Sequence, residues 1–198
     1  VNWVVATANA HKLRELSVLF EGLGVALLPR PEGLAMPEET GATFLANARL
    51  KARAIALATG EVALADDSGL EVDALGGEPG VHSARWAGEP GGDAANNAKL
   101  LAELRGIHGA NRRARFRCVL VLAAPDGREL TAEGRFEGFV LEAPRGEGGF
   151  GYDPLFQPEG DTRTLAEYAG DEKNAVSHRG RAARRLREML ERLGRTAP

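Results

Sequence analysis

Apolar residues along this chain fall either into short continuous runs or into stripes at helical spacing. "NWVVAT" (2–7) is a compact run that predicts a short buried strand. Leu13, Leu16, Leu19, Phe20 and Leu23 then recur every three or four residues, and Gly22 and Gly24 close the pattern, so the chain opens strand, turn, helix. The stretch 29–41, "PRPEGLAMPEETG", has no periodicity and reads as a loop. A second helix follows over "TFLANARLKARAIALATG", with Thr43 as N-cap and Gly60 just past its end. "VALAD" predicts a buried strand that ends on two adjacent aspartates, Asp66 and Asp67, before a Ser-Gly turn. Residues 93–106 form a third helical pattern. "RARFRCVLVLAAPDGRELTAEGRFEGFVL" reads as a long hairpin about "PDGR", with Phe116, Cys118 and Leu120 alternating at first. The last element is an amphipathic helix starting at "SHRG", with Ser177 as N-cap and Ala182, Leu186, Met189, Leu190 and Leu193 as its apolar stripe.

Strands alternating with helices, interrupted by a hairpin, indicate an α/β fold with a mixed sheet and helices packed on it. The 198 residues bury a core without staples, and no repeat or linker divides them, so a single domain over 1–198 is expected, with room for two lobes. A composition of 43% apolar and 27% charged residues places the chain among ordinary soluble globular proteins. A net charge of -3 provides no general basic field, so no nucleic-acid partner is expected. No apolar run approaches the ~20 residues of a membrane span, and the opening residues lack the pattern of a signal peptide. Cys118 is the single cysteine; it excludes an internal disulfide and suits a reducing cytoplasm.

Four segments carry candidate chemistry. In "TANAHK" (7–12) a strand gives way to a helix whose free N–H groups make an anion site. Thr7 and Asn9 add side-chain donors and Lys12 adds a positive charge one turn in. Plain N-capping, with Lys12 paired to a carboxylate, accounts for the same residues. "PEETG" (37–41) places Glu38 and Glu39 before the second helix, and with Asp66 and Asp67 this makes up to four carboxylates. One or two carboxylates plus water and phosphate oxygens are what Mg²⁺ takes. Adjacent strand residues point to opposite faces, so both aspartates reach one ion only if the strand ends there. "GEGGFGYDP" (146–154) surrounds Phe150 and Tyr152 with glycines, which suits either base stacking or a wide loop with one aromatic tucked inward. In "DEKNAVSHRG" (171–180), Lys173 stands ahead of the last helix, while His178 and Arg179 put positive charge on its first turn. That placement points to a bound anion or a base edge, while for His178 a plain capping or packing role also accounts for it.

"TANAHKLRE", "ETGATFLANARLKA", "ADDSGLEVDALGGEPGVHSARWAG", "GGFGYDPLF" and "EKNAVSHRGRA", in this order over nearly the whole chain, resemble the inosine triphosphate pyrophosphatase family in its bacterial form. The resemblance implies a long mixed sheet with flanking helices forming two lobes around a central cleft, and a homodimer. It implies Mg²⁺-dependent hydrolysis of non-canonical purine nucleoside triphosphates to the monophosphate and pyrophosphate. Matched residue by residue, Thr7, Ala8, Asn9, Ala10, His11 and Lys12 would hold the phosphates. Glu38 and Asp67 would bind the metal, with Asp67 also activating water, and Ser68 would touch substrate. Phe150, Gly151, Tyr152 and Asp153 would line the nucleoside pocket. Lys173, His178 and Arg179 would meet phosphate or base. Selection of a 6-oxo purine is expected at His178 and Arg179, which donate hydrogen bonds.

The sequence departs from the family pattern at Ala46, where a helix glutamate is usual, at Trp86 in place of a tyrosine, and at Ala8 in place of glycine or serine. The other functions open to these residues are a pyrophosphatase for other modified nucleotides and a sensing module that binds without turnover. The carboxylate cluster weighs against the last.

Overall fold

The computed structural model describes residues 1–88 and 90–196. Six strands form one mixed sheet in the order β2-β1-β3-β4-β5-β6: β1 (Asn2–Val5), β2 (Ala26–Pro29), β3 (Val62–Val72), β4 (Arg113–Ala123), β5 (Glu129–Val140) and β6 (Phe156–Pro158). β1 runs parallel to β2 and β3, with Val5 level with Leu64, whereas β6 runs antiparallel to β5. The helices are α1 (Ala10–Leu19), α2 (Phe44–Thr59), α3 (Asp93–Glu103), α4 (Gly170–Val176) and α5 (His178–Thr196). The mixed sheet with flanking helices is the architecture expected from the sequence.

Two of the predicted helix signals act as chemistry requires. Thr43 caps α2 by accepting the Ala46 N–H at 3.1 Å, and Gly60 ends it in the left-handed region at φ 71°. Other expectations are corrected. β3 does not stop at the aspartates: it runs on through Ser68 and Gly69 to Val72, so no Ser-Gly turn exists there. The stretch 26–29 and the stretch 156–158 are strands that the pattern did not reveal. Lys173 stands ahead of α5 as expected, but within a short helix of its own, α4, and Ser177 stands at the junction of α4 and α5.

The chain divides into two compact units, to which β3, β4 and β5 each contribute residues. The first comprises Val1–Asp67, Cys118–Gly134 and the chain from Arg179 onward. Its core joins Trp3 and Val5 of β1, Leu16 of α1, Leu64 of β3, Cys118 and Leu120 of β4, and Ala182 and Leu186 of α5, with Phe20 just beyond α1. Trp3 and Phe20 meet edge to face at 5.7 Å. The α5 stripe fades toward its end: Ala182 and Leu186 are buried, Met189 and Leu190 partly so, and Leu193 is exposed.

The second unit comprises Ser68–Arg117 and Arg135–His178. Leu70, Val72, Leu100, Leu104, Phe116, Phe136, Val140, Tyr152, Leu155, Phe156 and Leu165 build its core. Along β4 within this unit Ala114 and Phe116 are buried, while Arg113, Arg115 and Arg117 alternate with them on the other face. These arginines pair with Glu159, Asp73 and Glu71 at 3.3, 2.7 and 2.9 Å. From Cys118 to Ala123, in the first unit, the alternation vanishes and every residue is buried. The sheet is therefore covered on both faces there, which explains why the hairpin pattern held only at first.

Candidate functional site

The first unit gathers a string of opposite charges around β3. Asp66 and Asp67 are adjacent, so their side chains leave opposite faces of the strand. Asp66 lies on the face of Leu64, among α1 and α5: Lys12 pairs with its Oδ1, and Arg179 Nε donates to its Oδ2 at 3.0 Å. The Cys118 thiol donates to the same Oδ2 at 3.2 Å, and Arg179 pairs with Glu15 of α1. Burial alone would push the Asp66 carboxyl up. The Arg179 guanidinium and the Lys12 ammonium outweigh it and hold the group well below the usual carboxylate range. Burial likewise pushes the Cys118 thiol up, and the Asp66 charge adds to that.

Asp67 faces α2. Lys51 Nζ donates to Asp67 Oδ1 at 3.1 Å, to the Asp66 carbonyl at 2.8 Å and to Glu39 at 2.6 Å. Burial lowers the proton affinity of Lys51, but the carboxylates of Asp67 and Glu39 more than compensate and raise it. Asp67 is pushed up, first by burial and then by its like-charged neighbours Glu39 and Asp66, against the pull of Lys51. Its second oxygen, Oδ2, is buried and accepts no hydrogen bond.

The loop carrying Glu38 and Glu39 is tied down by Asn47, a fully buried residue of α2 whose Oδ1 accepts the Gly41 N–H at 2.7 Å. A side chain at position 41 would strike that oxygen, at 2.6 Å, and the Ala46 methyl, at 2.7 Å, so glycine is required there. Glu39 turns inward to Lys51, while Glu38 remains exposed.

At the start of α1, Asn9 Oδ1 accepts the N–H groups of His11 and Lys12, and Thr7 Oγ1 accepts that of Asn9. Asn9 thus caps the helix, and Thr7 holds the turn that leads into it. Thr7 is half-buried, and Ala8 to His11 are exposed.

The second unit holds the aromatic loop. Tyr152 is buried and its hydroxyl donates to the Ser83 carbonyl at 2.7 Å, so it serves as a core residue; the expected pair of stacking aromatics reduces to the half-buried Phe150. Asp153 is also buried: its Oδ2 accepts the Phe150 N–H at 2.9 Å and the Lys173 ammonium at 2.6 Å. Lys173 Nζ lies 4.7 Å from the centre of the Phe150 ring. Gly149, at φ 71°, is required, because a methyl group there would overlap the Asp153 carboxylate. His178 is buried and stacks on Phe116, ring centres 4.7 Å apart. Ser68 is half-buried on β3.

Arg179 already has acidic partners within the protein. It is buried, 1% exposed, and pairs with Asp66 and Glu15 within the first unit. The anion that offsets a cation on the first turn of α5 is the protein's own. Lys51, Asn47 and Glu15 were not singled out from the sequence. The signal for the first two existed: Phe44, Asn47, Ala48, Lys51, Ala52 and Ile55 form one buried helical stripe, and a lysine in such a stripe must find acids.

The donor set suits a hard divalent cation. Asp67 Oδ2 is a buried carboxylate oxygen without a hydrogen-bond donor, and the neighbouring carboxylates supply oxygen only. Among the described residues no three acidic, histidine or cysteine side chains gather closely enough to hold a metal alone.

A dITP/XTP pyrophosphatase of Desulforamulus reducens is 53% identical over 192 residues, covering 96% of both chains. One of Thermus thermophilus is 55% identical, covering 93% of this chain and 89% of its own. The solved structure of a HAM1 protein from Coxiella burnetii matches with a TM-score of 0.89 and 42% identity over 97% of this chain and 99% of its own. With residues 3–189 matching the model of that family, the chain belongs to the Ham1 family.

Proposed function

We propose that this protein hydrolyses non-canonical purine nucleoside triphosphates, of the inosine and xanthosine type, to the nucleoside monophosphate and pyrophosphate. Its relatives named dITP/XTP pyrophosphatase support the substrate class. The observation that carries the chemistry is Asp67, a buried carboxylate with one oxygen held by Lys51 and the other left without a donor.

Charge explains why a metal belongs to the reaction. The linked side chains Glu15, Arg179, Asp66, Lys12, Asp67, Lys51 and Glu39 carry four negative and three positive charges. The surplus negative charge repels a triphosphate, and a bound cation would offset that repulsion. Asp67 and Glu38 would hold Mg²⁺, which when bound would draw negative charge off the phosphate oxygens. Asp67 accepts the proton of the attacking water. The water oxygen bonds to the α-phosphorus as the bond to the bridging oxygen breaks, and pyrophosphate leaves with the electron pair. Lys51 fixes the Asp67 carboxylate, and the start of α1 with Lys12 receives the phosphates. In the second unit, Phe150 offers its ring face to the base, backed by Lys173. The protein acts as a homodimer in the cytoplasm.

The test is direct. Inosine, xanthosine, adenosine and guanosine triphosphates and a modified pyrimidine triphosphate are each incubated with the protein, with and without Mg²⁺, and binding and the released pyrophosphate are measured. Turnover of the first two, dependent on Mg²⁺ and well above that of the others, is expected. Turnover only of modified pyrimidine triphosphates, or binding without release, would replace this reading.

A further inference from the structure

The backbone of the glycine-rich loop is already in use. The Phe150 N–H donates to Asp153 Oδ2 at 2.9 Å, and the Asp153 N–H to the Phe150 carbonyl at 3.3 Å. The Gly151 N–H donates to Asp93 Oδ2 at 2.6 Å, and its carbonyl accepts from Asn97 Nδ2 at 3.0 Å. Asp93 is the first residue of α3 and Asn97 lies one turn on, on the same helix face. The two backbone groups of Gly151 belong to the two different peptide planes that flank its Cα. Holding both therefore fixes both dihedrals of a residue at φ 64°, the residue type with the most freedom to lose.

We infer that Asp93 and Asn97 are positioning residues: together they clamp Gly151 and so set the Phe150 ring where a purine meets it. The inference rests on the reading of the loop as the nucleoside subsite. It also assigns the loop's specificity to shape, because the N–H groups of Phe150, Gly151 and Asp153 all have acceptors within the protein. α3 thus acts on substrate selection without touching substrate. Preorganising the loop removes an ordering cost that the substrate would otherwise bear on binding.

Two readouts test this separately. The first is amide hydrogen exchange across 146–154 in the free protein. Asp93→Ala removes an exposed side chain, so folding is preserved, and the Gly151 amide is expected to exchange at least about tenfold faster. Asp93→Asn keeps an oxygen acceptor and is expected to restore most of the protection. The second is steady-state kinetics with inosine triphosphate. In Asp93→Ala and Asn97→Ala, KM is expected to rise about five- to tenfold, with kcat within about threefold of the parent and inhibition by pyrophosphate unchanged. Unchanged Gly151 exchange in Asp93→Ala would overturn the clamp. Faster exchange with an unmoved KM, or equal weakening of pyrophosphate and nucleotide, would overturn its role in selection. If the parent turns over no triphosphate, the reading of the subsite fails, while the exchange measurement still decides the clamp.

Discussion

Lys51 and Lys173 are both buried, yet they do opposite things. Lys51 in the first unit touches three acceptors, two of them carboxylates, and its surroundings carry more negative than positive charge. Lys173 in the second unit pairs with the carboxylate of Asp153 and lies over the Phe150 ring. One lysine serves a site left short of cations, the other a site whose main pair is neutral. A nucleotide has the same two characters, a charged phosphate end that arrives with a metal and a flat uncharged base. On the proposed reading, the surroundings of Lys51 suit the first character and those of Lys173 the second.

The sharpest way to break this contrast is at Asp67. Asp67→Asn is nearly isosteric and removes both a negative ligand and the proton acceptor. Pyrophosphate release from inosine triphosphate is expected to fall by ~10²-fold or more at saturating Mg²⁺, with the melting temperature close to the parent's. Near-parental turnover would mean that the oxygen without a donor has no chemical role.

A second variant tests whether the first unit's charges are interdependent. Arg179→Met takes a directly paired cation from the buried Asp66, a loss expected to be about 3–5 kcal/mol in denaturant unfolding. Arg113→Ala, on the half-exposed ladder of β4, is expected to cost under ~1 kcal/mol. If Arg179→Met instead changes only the preference between inosine and adenosine triphosphate, Arg179 reads the base after all.

The smallest effect concerns the second unit's tyrosines, Tyr152 and Tyr168, the only two in the chain. Burial pushes both up. The Asp93 charge adds to it for Tyr152, and for Tyr168 a 2.6 Å hydrogen bond to Asp161 takes it to about 12. A neutral form favoured by folding stabilises the protein fully below the unfolded value near 10 and is lost as pH rises from there through 12. Phenolate absorbance should therefore be absent from the native protein at pH 10.5 and present in the unfolded chain. Titration of either tyrosine near 10 in the native state would show that its hydroxyl is not held as described.

Much of this was legible in the residues themselves. The caps of α2, the hairpin, the mixed sheet and the candidate status of Asp67 all follow from local pattern and chemistry. β2 and β6 escaped because four and three residues carry no usable period. The length of β3 escaped for a different reason. Asp-Asp-Ser-Gly has the composition of a turn, and only the cations of α1, α2 and α5, distant in sequence, allow the aspartates to be buried within a strand. The ion pairs of Arg179 escaped on the same ground: its partners Asp66 and Glu15 lie more than a hundred residues away.

Cys118 gives the protein a clock. It is the chain's one thiol, sealed beside Asp66 in the core of the first unit. A thiol reagent reaches it only when that core opens, so the rate at which a single label appears counts openings per second without any engineered probe. Followed with and without Mg²⁺ or nucleotide, the same count reports how firmly each ligand holds the first unit shut, whether or not any bond is cleaved.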